Sequence, residues 1–408
     1  MSMSAAGLSR AAFSRYWLSA FLADFGDGVR LAAFPLLALQ VTNSPAAVAA
    51  VTAVQGLPWI LIGLGAGAIV DRHDLRATMV MVDVIRAVVI AALALAVAGG
   101  ALSLPLIYLT AFATGVGALV RDTAAATAVP RLVGEDELER ANGRLVAGRL
   151  VGDELAGPAV GGWLFGIAAA LPFALNAGGL GLSILLLLTL PSIFAAPRRP
   201  REPAGLLRST VRDLNVGLAW LRRDRLVRNL VVAVALVAVA DGAFLAILVL
   251  YVTQVLDQSA AVYGLLLGLG AIGGIVAGVS CARLTSRIGA ARMLTTTVIT
   301  MAVAQLALGL TSSMVVTSVT LVCSGGAFAA FNVTSMTVRQ RRSPIDMLGR
   351  VNSTYLTVGR SAAAIGALAG GALAAAAGIH APILIGVIPL LCAAVLIART
   401  NPQQRPFA

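Results

Sequence analysis

The sequence predicts an all-α integral membrane protein with twelve transmembrane helices, arranged as two pseudo-symmetric six-helix bundles. Three observations predict this fold class: the composition, the number of long apolar runs, and a repeat of the first half in the second. Of the 408 residues, 59% are hydrophobic and 12% are charged, whereas a soluble domain carries about 25% charged residues. A bilayer is therefore the solvent that this chain requires.

Twelve apolar runs, bounded by arginine, proline and glycine, are long enough to cross a hydrocarbon core of about 30 Å as helices. The predicted spans are 13–41, 46–70, 78–98, 103–126, 144–168, 172–194, 229–254, 261–282, 292–311, 314–338, 350–377 and 381–398. A polar stretch divides them six and six. The predicted domains are an N-terminal bundle over 1–197, a linker over 198–228 and a C-terminal bundle over 229–408.

Arginines predict the orientation, because cytoplasmic loops hold the positive excess. The even-numbered connections carry arginines, for example Arg72 after span two and Arg339 after span ten, whereas the connections 42–45 and 99–104 carry none. We therefore expect both termini and the linker to be cytoplasmic. Within the linker, leucine and valine recur every three or four residues among arginines over 207–221, which predicts an amphipathic helix on the membrane surface that tethers the halves.

The two halves share a sequence pattern. The segment Gly157–Leu164 (GPAVGGWL) recurs as Gly366–Leu373 (GALAGGAL), and Asn142 has its counterpart in Asn352. Two six-helix repeats are the construction of many secondary transporters.

The connection between spans two and three reads GAIVDRHDLR over 67–76 and resembles the G-x-x-x-D-R-x-G-R-R loop of the major facilitator superfamily. Asp74 replaces the glycine and Leu75 replaces an arginine, a variant similar to the branch of siderophore and multidrug exporters. In that superfamily the loop is a conformational latch, and the alternative is a simple topology anchor. The resemblance implies the latch role for Gly67, Asp71, Arg72 and Arg76, and the major facilitator fold for the whole chain.

Span five contains Gly157, Pro158, Gly161 and Gly162, similar to the G-P-x-x-G-G signature of proton-driven exporters in the same superfamily. Glycines let helices approach closely, and the proline leaves a carbonyl unpaired, which favours a bend. Ordinary helix packing is the alternative. The chain also departs from the superfamily pattern in span four, where an arginine is expected near Ala111.

Several site classes are excluded. The G-x-G-x-x-G run over 268–273 lies inside an apolar helix, where Gly270, Gly274 and Gly278 are spaced for packing and not for a dinucleotide. The chain has no lysine and no Walker motif, which excludes an ATP-driven pump within this chain. Two histidines and three isolated cysteines give no metal spacing. We expect no cofactor, no metal, no enzymatic activity and no nucleic-acid partner.

Seven ionisable residues inside the spans are candidates for proton coupling and the substrate cavity, because each costs several kcal/mol unless it is paired or faces water. They are Asp24, Asp27, Arg30, Asp153, Glu154, Asp241 and Arg360. Four of them lie roughly 14 to 18 Å from a boundary, near the bilayer midplane. Arg149 stands four residues before Asp153, either as a structural ion pair or as part of the cavity.

Other charges lie nearer the predicted cytoplasmic ends of spans three and four. Asp83, Arg86, Arg121 and Asp122 are interpreted as gate or topology charges. Water reaches such positions at lower cost, so they are weaker candidates for the path of the transported ion.

The predicted function is secondary active transport: proton-coupled efflux of a small amphiphilic compound (drug, siderophore or secondary metabolite) by alternating access. Asp27 is the first candidate for the proton carrier, Asp24 the second and Asp241 the third, with Arg30 and Arg360 as modulating partners. A carboxyl group that leaves water takes up a proton more readily, and a nearby arginine or cationic substrate releases it. The alternatives are a proton-coupled importer of a small nutrient and a non-transporting scaffold or sensor.

The expected partners are a small-molecule substrate, protons and the lipid bilayer. Five acids and three arginines near the midplane favour cationic or neutral solutes. We expect a monomer in a bacterial cytoplasmic (inner) membrane.

The loop assignment predicts that Asp71→Asn slows transport while abundance in the membrane stays near normal, because the change removes a charge-assisted contact between helix ends without removing a span. Transport at the normal rate by this variant, measured at equal protein level, would reduce Asp71 to a topology residue.

Overall fold

The computed structural model describes residues 5–70, 73–133, 137–190, 225–343 and 348–399. Within these ranges all regular structure is helical, and the chain has the predicted fold of twelve transmembrane helices. Ten helices of the described part are long and apolar enough to cross a membrane. The other two are span one, whose helix carries several charged residues, and span five, which includes a π-helical segment.

The helices follow the predicted spans closely. Those of the first half are α1 (Ala5–Leu39), α2 (Pro45–Val70), α3 (Leu75–Ala98), α4 (Leu104–Leu132), α5 (Leu138–Arg149), α6 (Gly157–Ile167) and α7 (Leu171–Leu188). Those of the second half are α8 (Arg225–Leu250), α9 (Ala260–Ile288), α10 (Ala290–Gly309), α11 (Met314–Arg342), α12 (Leu348–Ala377), α13 (His380–Ile385) and α14 (Val387–Ala398). Span five consists of α5 and α6, and span twelve of α13 and α14. The amphipathic helix expected over 207–221 lies outside the described residues, and the predicted domain limits stay a prediction.

A π-helical segment, Leu150–Ala156, joins α5 to α6 without interrupting the helix. The N–H of Gly157 donates to the carbonyl oxygen of Gly152, five residues back, in place of the usual four. Pro158 follows directly and has no N–H to donate. The local irregularity expected at the proline is thus a π segment that precedes it, and Asp153 lies within this segment. π segments inside α-helices are frequent at functional sites.

The described residues belong to two compact units. The first is formed from Met1–Val41, Leu61–Leu206 and Ala260–Gly268, and the second from Thr42–Ile60, Leu207–Ser259 and Leu269–Ala408. The unit boundaries therefore cut through α2 and α9. Each unit includes a helical segment that the sequence assigns to the opposite half.

Each unit has its own apolar core. In the first unit Tyr16 and Met79 are buried between α1, α3 and α4, and the Tyr16 hydroxyl donates to the carbonyl oxygen of Ala125 at 3.0 Å. In the second unit Phe331 and Val298 are buried between α8, α10, α11 and α14. These cores hold the helices that carry the charged residues described below.

In the first unit, α1 and span five approach each other at backbone distance. A Cβ atom on Gly28 would overlap the carbonyl oxygen of Asp153, and one on Gly161 would overlap that of Val29. In a bilayer, helices associate through close packing because lipid is as apolar as their side chains. The glycines of span five therefore set how closely α1 can pack.

The second unit repeats this contact between α8 and α12. A Cβ atom on Gly366 would overlap the carbonyl oxygen of Val239, and one on Gly370 would meet the backbone of Ala243. Gly366 and Gly370 occupy the places of Gly157 and Gly161 in the sequence repeat. The repeat that the sequence predicts thus corresponds to the same helix contact in both units.

The third glycine of each repeat faces a different helix. In the first unit Gly162 packs against Gly264 of α9, and in the second unit Gly371 packs against Ala46 and Ala49 of α2. The glycine pattern of span five therefore packs on two neighbours at once. This confirms the packing component of the G-P-x-x-G-G run and leaves its exporter role a prediction.

The G-x-G-x-x-G run is part of α9, as expected for a packing motif. In the second unit Gly273 lies against Val322 of α11, and Gly325 lies against Gly270. The same role predicted for Gly278 is wrong, since no neighbouring atom of the described residues lies within 4 Å of the position that its Cβ would take.

Gly161→Leu and Gly370→Leu are each expected to lower the thermal unfolding midpoint and the yield of monodisperse protein. A bulky side chain at either place must displace backbone, and overpacking costs about 1 to 3 kcal/mol or more. Gly166→Leu is the matched control, because Gly166 lies in the same helix as Gly161 and has open space beside it. Equal midpoints for all three variants would show that the contact in both units is loose.

Candidate functional site

Asp27 of α1 is held by two arginines in the first unit. Its Oδ1 atom lies 3.1 Å from Nη2 of Arg30, on the same helix, and also accepts a hydrogen bond from Nη2 of Arg86 on α3. The side chain of Arg86 is fully buried, whereas that of Asp27 is 22% exposed. Asp27 is therefore the accessible member of a pairing whose arginines are enclosed.

Asp83 continues the pairing away from Asp27. Its Oδ1 atom lies 3.7 Å from Nη1 of Arg86, and its Oδ2 atom accepts a hydrogen bond from Nη1 of Arg121 on α4. The resulting order of alternating charges is Arg30, Asp27, Arg86, Asp83 and Arg121, which we name the buried charge chain. Removal of one partner from such a pair leaves an uncompensated charge in a low dielectric and costs about 3 to 5 kcal/mol.

Two serines form hydrogen bonds with Asp83 and Arg121, at the Arg121 end of the buried charge chain. Ser183 of α7 donates to Oδ2 of Asp83 at 3.0 Å. Nη2 of Arg121 donates to the carbonyl oxygen of Ser19 at 3.1 Å and lies 3.2 Å from its hydroxyl. Four helices, α1, α3, α4 and α7, therefore contribute to one polar network inside the first unit.

Two small-residue positions make room for this network. A Cβ atom on Gly117 of α4 would overlap the aliphatic part of Arg86, and one on Gly26 would overlap the amide of Asn176. Asn176 is buried on α7, and neither atom of its amide has a hydrogen-bond partner among the described residues. Such a group is a candidate for contact with water or with a polar substrate atom.

A second, more open cluster surrounds Arg149 in the same unit. Its guanidinium lies 3.7 Å from Oδ2 of Asp153 and 3.9 Å from Oδ2 of Asp122. Asp24 and Glu154 also act on Arg149 electrostatically. The predicted pair of Arg149 and Asp153 is present, and the structure adds Asp122 to it.

In the second unit, Asp241 of α8 and Arg360 of α12 interact electrostatically. The guanidinium carbon of Arg360 lies 5.4 Å from the ring centroid of Trp59 on the first part of α2. Asp241 lines a small pocket within this unit. The structure thus divides the predicted midplane charges: Asp24, Asp27, Arg30, Asp153 and Glu154 belong to the first unit, and Asp241 and Arg360 to the second.

The predicted latch loop is only partly described. Asp71 and Arg72 lie outside the described residues, and Gly67 belongs to α2. Arg76 donates through Nη1 to the carbonyl oxygen of Leu190, just beyond α7. Asp74 caps α3, with its Oδ1 atom accepting from the N–H of Ala77 at 2.7 Å, which explains an aspartate where the superfamily loop has glycine.

The interpretation of Asp83, Arg86 and Arg121 as residues near water was wrong. Asp83 and Arg86 have no exposed side-chain surface, and Arg121 is also buried. The distance of a residue from the end of its helix indicates its access to water only if no other helix covers that residue. Here α1 and α7 pack over these side chains. The sequence contains a signal of this ion pairing, because Asp83 and Arg86 repeat the three-residue spacing of Asp27 and Arg30.

No group of three or more His, Cys, Asp and Glu side chains that could hold a metal ion occurs in the described part of the chain. The chemistry available at these sites is ion pairing, proton binding by carboxylates and contact with apolar surface.

Comparison with solved structures identifies the fold. The nucleoside transporter NupG matches 97% of this chain and 100% of its own with a TM-score of 0.75 at 12% identity. A bacterial homologue of the iron transporter ferroportin, in its inward-facing state, matches 96% of this chain and 98% of its own with a TM-score of 0.75 at 20% identity.

Sequence relatives cover nearly the same length. The multidrug efflux pump Tap of Mycobacterium tuberculosis (strain ATCC 25618 / H37Rv) is 27% identical over 388 residues, which is 93% of this chain and 90% of that protein. The enterobactin exporter EntS of Shigella dysenteriae serotype 1 (strain Sd197) is 27% identical over 410 residues, which is 97% of this chain and 94% of that protein.

The family described as transmembrane secretion effector matches residues 2–405. With the twelve helices and the two repeats, this match shows that the chain is a multi-pass membrane transporter and belongs to the transmembrane secretion effector family of the major facilitator superfamily.

Proposed function

We propose that this transporter exports small amphiphilic compounds in exchange for protons by alternating access, and that Asp27 carries the proton. The observation that supports this most is the position of Asp27, which is the accessible member of the buried charge chain. An ion that reaches Asp27 changes the charge balance of a network fixed to four helices. A carboxylate in this position can couple proton binding to movement of helices.

The contacts of Asp27 suggest where the proton binds. Arg30 and Arg86 both contact Oδ1, so in this proposal the proton binds Oδ2. A protonated Asp27 holds its two arginines less strongly. Arg86 then turns toward Asp83, whose Oδ1 atom lies 3.7 Å away. In this proposal, proton binding at Asp27 weakens the ion pair that joins α3 to α1, while the ion pair that joins α3 to α4 is kept.

We propose that Arg86 serves in place of an arginine that the superfamily pattern expects in span four. Ala111, at that place, is buried in α4, and Gly117 on the same helix gives Arg86 room to enter from α3. The modulating role predicted for Arg30 beside Asp27 is therefore shared in our proposal, with Arg86 making the hydrogen bond to Asp27.

Export is favoured over import for two reasons. Tap is named a multidrug efflux pump and EntS an enterobactin exporter, and span five carries the exporter-like glycine and proline pattern. The arginine-rich connections favour a cytoplasmic position for both termini. We propose a monomer in a bacterial cytoplasmic membrane, with protons and a small molecule as its transported partners.

Asp27→Asn is expected to reduce gradient-driven transport by about tenfold or more, because it keeps the size of the side chain and removes its proton site. The measurement is ethidium accumulation by energised inverted vesicles at several pH values, alongside substrate-induced proton release from detergent-solubilised protein. Binding and exchange without a gradient are expected to persist. Asp257→Asn, outside the buried charge chain, is the control for the same chemical change. Unchanged proton release and pH dependence would move the assignment to Asp24 or Asp241.

A second experiment tests the pairing itself. Arg86→Gln is expected to cost about 3 to 5 kcal/mol of stability, because Asp27 and Asp83 lose a shared partner. Asp83→Asn in the same chain is expected to recover part of this loss, since it removes a buried carboxylate that has lost one of its two arginines. The thermal midpoints of the two single variants and the double variant measure the coupling. Strictly additive losses would show that Arg86 and Asp83 do not interact.

A further inference from the structure

Asp241 and Gly242 occupy in span seven the places that Asp27 and Gly28 occupy in span one. A Cβ atom on Gly28 would overlap a carbonyl oxygen of span five, and one on Gly242 would overlap the carbonyl oxygen of Ala363 in span eleven. Spans five and eleven are themselves related by the sequence repeat. Both aspartates are half-buried. The repeat therefore places Asp241 in the second unit where Asp27 lies in the first.

Asp241 also lines a small pocket in the second unit. The volume of this pocket is about 30 Å³, whereas sites for drug-sized compounds measure about 300 to 1,000 Å³. A buried water molecule needs only about 10 to 15 Å³ and roughly two to four polar partners. The polar residues of the lining are Asp241, Gln305, Thr320 and Ser324, among apolar neighbours. The small pocket therefore has room for about two water molecules.

Two of these polar groups can bind water. The Nε2 atom of Gln305 is buried and has no hydrogen-bond partner in the part of the chain that the structure describes, so it has a proton to donate. The Thr320 hydroxyl donates to the carbonyl oxygen of Thr317 at 2.9 Å, so its lone pairs can accept. A water molecule can accept from the amide and donate to the hydroxyl or to a carboxylate. Buried polar groups without a protein partner are common sites of ordered water.

Arg360 of α12 is the one charged group among the described residues that acts on Asp241 electrostatically. The helices α11, α13 and α14 also pack on α8 and add no charged side chain to this interaction. The guanidinium carbon of Arg360 lies 5.4 Å from the ring centroid of Trp59, and aromatic rings attract cations. Arg360 can therefore keep its contact with Trp59 when Asp241 takes up a proton.

We propose that Asp241 binds a second proton, which it receives from water in the small pocket, so that two protons are exchanged for each exported molecule. A hydrated proton in the pocket protonates the carboxylate and leaves neutral water behind, and the reverse step releases it. Asp241, the third candidate for the proton carrier in the sequence, becomes the carrier of the second unit. This proposal rests on proton-coupled export through Asp27 and adds a second proton to it.

A second proton changes how far a gradient can drive export. Free energy depends on the logarithm of a concentration ratio. At zero membrane potential, the limiting ratio of substrate concentrations therefore equals the proton ratio for one exchanged proton, and the square of the proton ratio for two. Loss of the proton site at Asp241 is expected to lower the limiting ratio to its square root while transport itself continues.

Infrared spectroscopy of the purified full-length protein tests proton binding without a substrate. Spectra recorded at a series of pH values show the C=O stretching band of each carboxyl group that takes up a proton, and this band shifts in D₂O. Asp241→Asn is expected to remove one such band, and Asp241→Glu to restore it at a shifted frequency. Asp257→Asn, which changes an exposed aspartate of the same unit, should leave the band unchanged.

Gln305→Leu tests the water in the small pocket. In the wild type, replacement of water by H₂¹⁸O is expected to shift an O–H stretching band of enclosed water. Gln305→Leu should remove this band and shift the carboxyl band of Asp241, because leucine cannot donate to the water. This variant keeps the carboxylate, so it tests the proposal even if Asp241→Asn proves unstable. An O–H band that Gln305→Leu leaves unchanged would contradict the role of the amide.

Ethidium accumulation by inverted vesicles measures the number of exchanged protons. The pH gradient is varied, and valinomycin with equal potassium concentrations holds the membrane potential at zero. The ratio reached by the wild type is expected to be the square of that reached by Asp241→Asn. Equal ratios, or an unchanged carboxyl band in Asp241→Asn, would overturn the proposal. A wild type that accumulates no ethidium would contradict the export proposal, while the infrared band still decides whether Asp241 binds a proton.

Discussion

The pairing of Asp27 with Arg30 and Arg86 is the constraint on which the first unit depends. An isolated charge in a hydrocarbon core is costly, and a charge held by partners on other helices is tolerated. Since Arg86 is also near Asp83, and Asp83 is bonded to Arg121, no member can move far alone. The positions of α1, α3 and α4 are therefore linked through side chains, in addition to their apolar packing.

Backbone contact at glycine is the complementary constraint, and it occurs at equivalent places in both units. Gly161 against α1 and Gly370 against α8 are related by the sequence repeat. Lipid gives helices no hydrophobic reason to associate, so shape decides which faces meet. The polar residues differ more than the glycines do: the first unit holds a chain of five charges, whereas the second pairs Asp241 with Arg360 beside a pocket. The two units therefore share the same helix packing at glycine but carry different sets of charged residues.

The spans were predictable because bilayer thickness fixes the length of an apolar run, and every predicted span has its helix. The site was predictable only in part. Asp27 and Arg30 are neighbours on one helix, so their spacing indicated the contact. The contact with Arg86 joins α1 to α3 and depends on Gly117 of α4, which no local pattern contains. The pocket beside Asp241 combines residues from four helices, and its volume depends on packing that spacing does not specify.

The π segment of span five determines how the helix face that precedes it is aligned with the helix face that follows it. A residue advances an α-helix by about 100°, and a π segment accommodates one additional residue without breaking the helix. The face before Leu150–Ala156 is therefore rotated against the face after it. Arg149 belongs to one face and Gly161 to the other, so their directions are set independently. Loss of a single residue from the segment would restore a regular helix and turn Arg149 away from Asp122 while Gly161 still met α1.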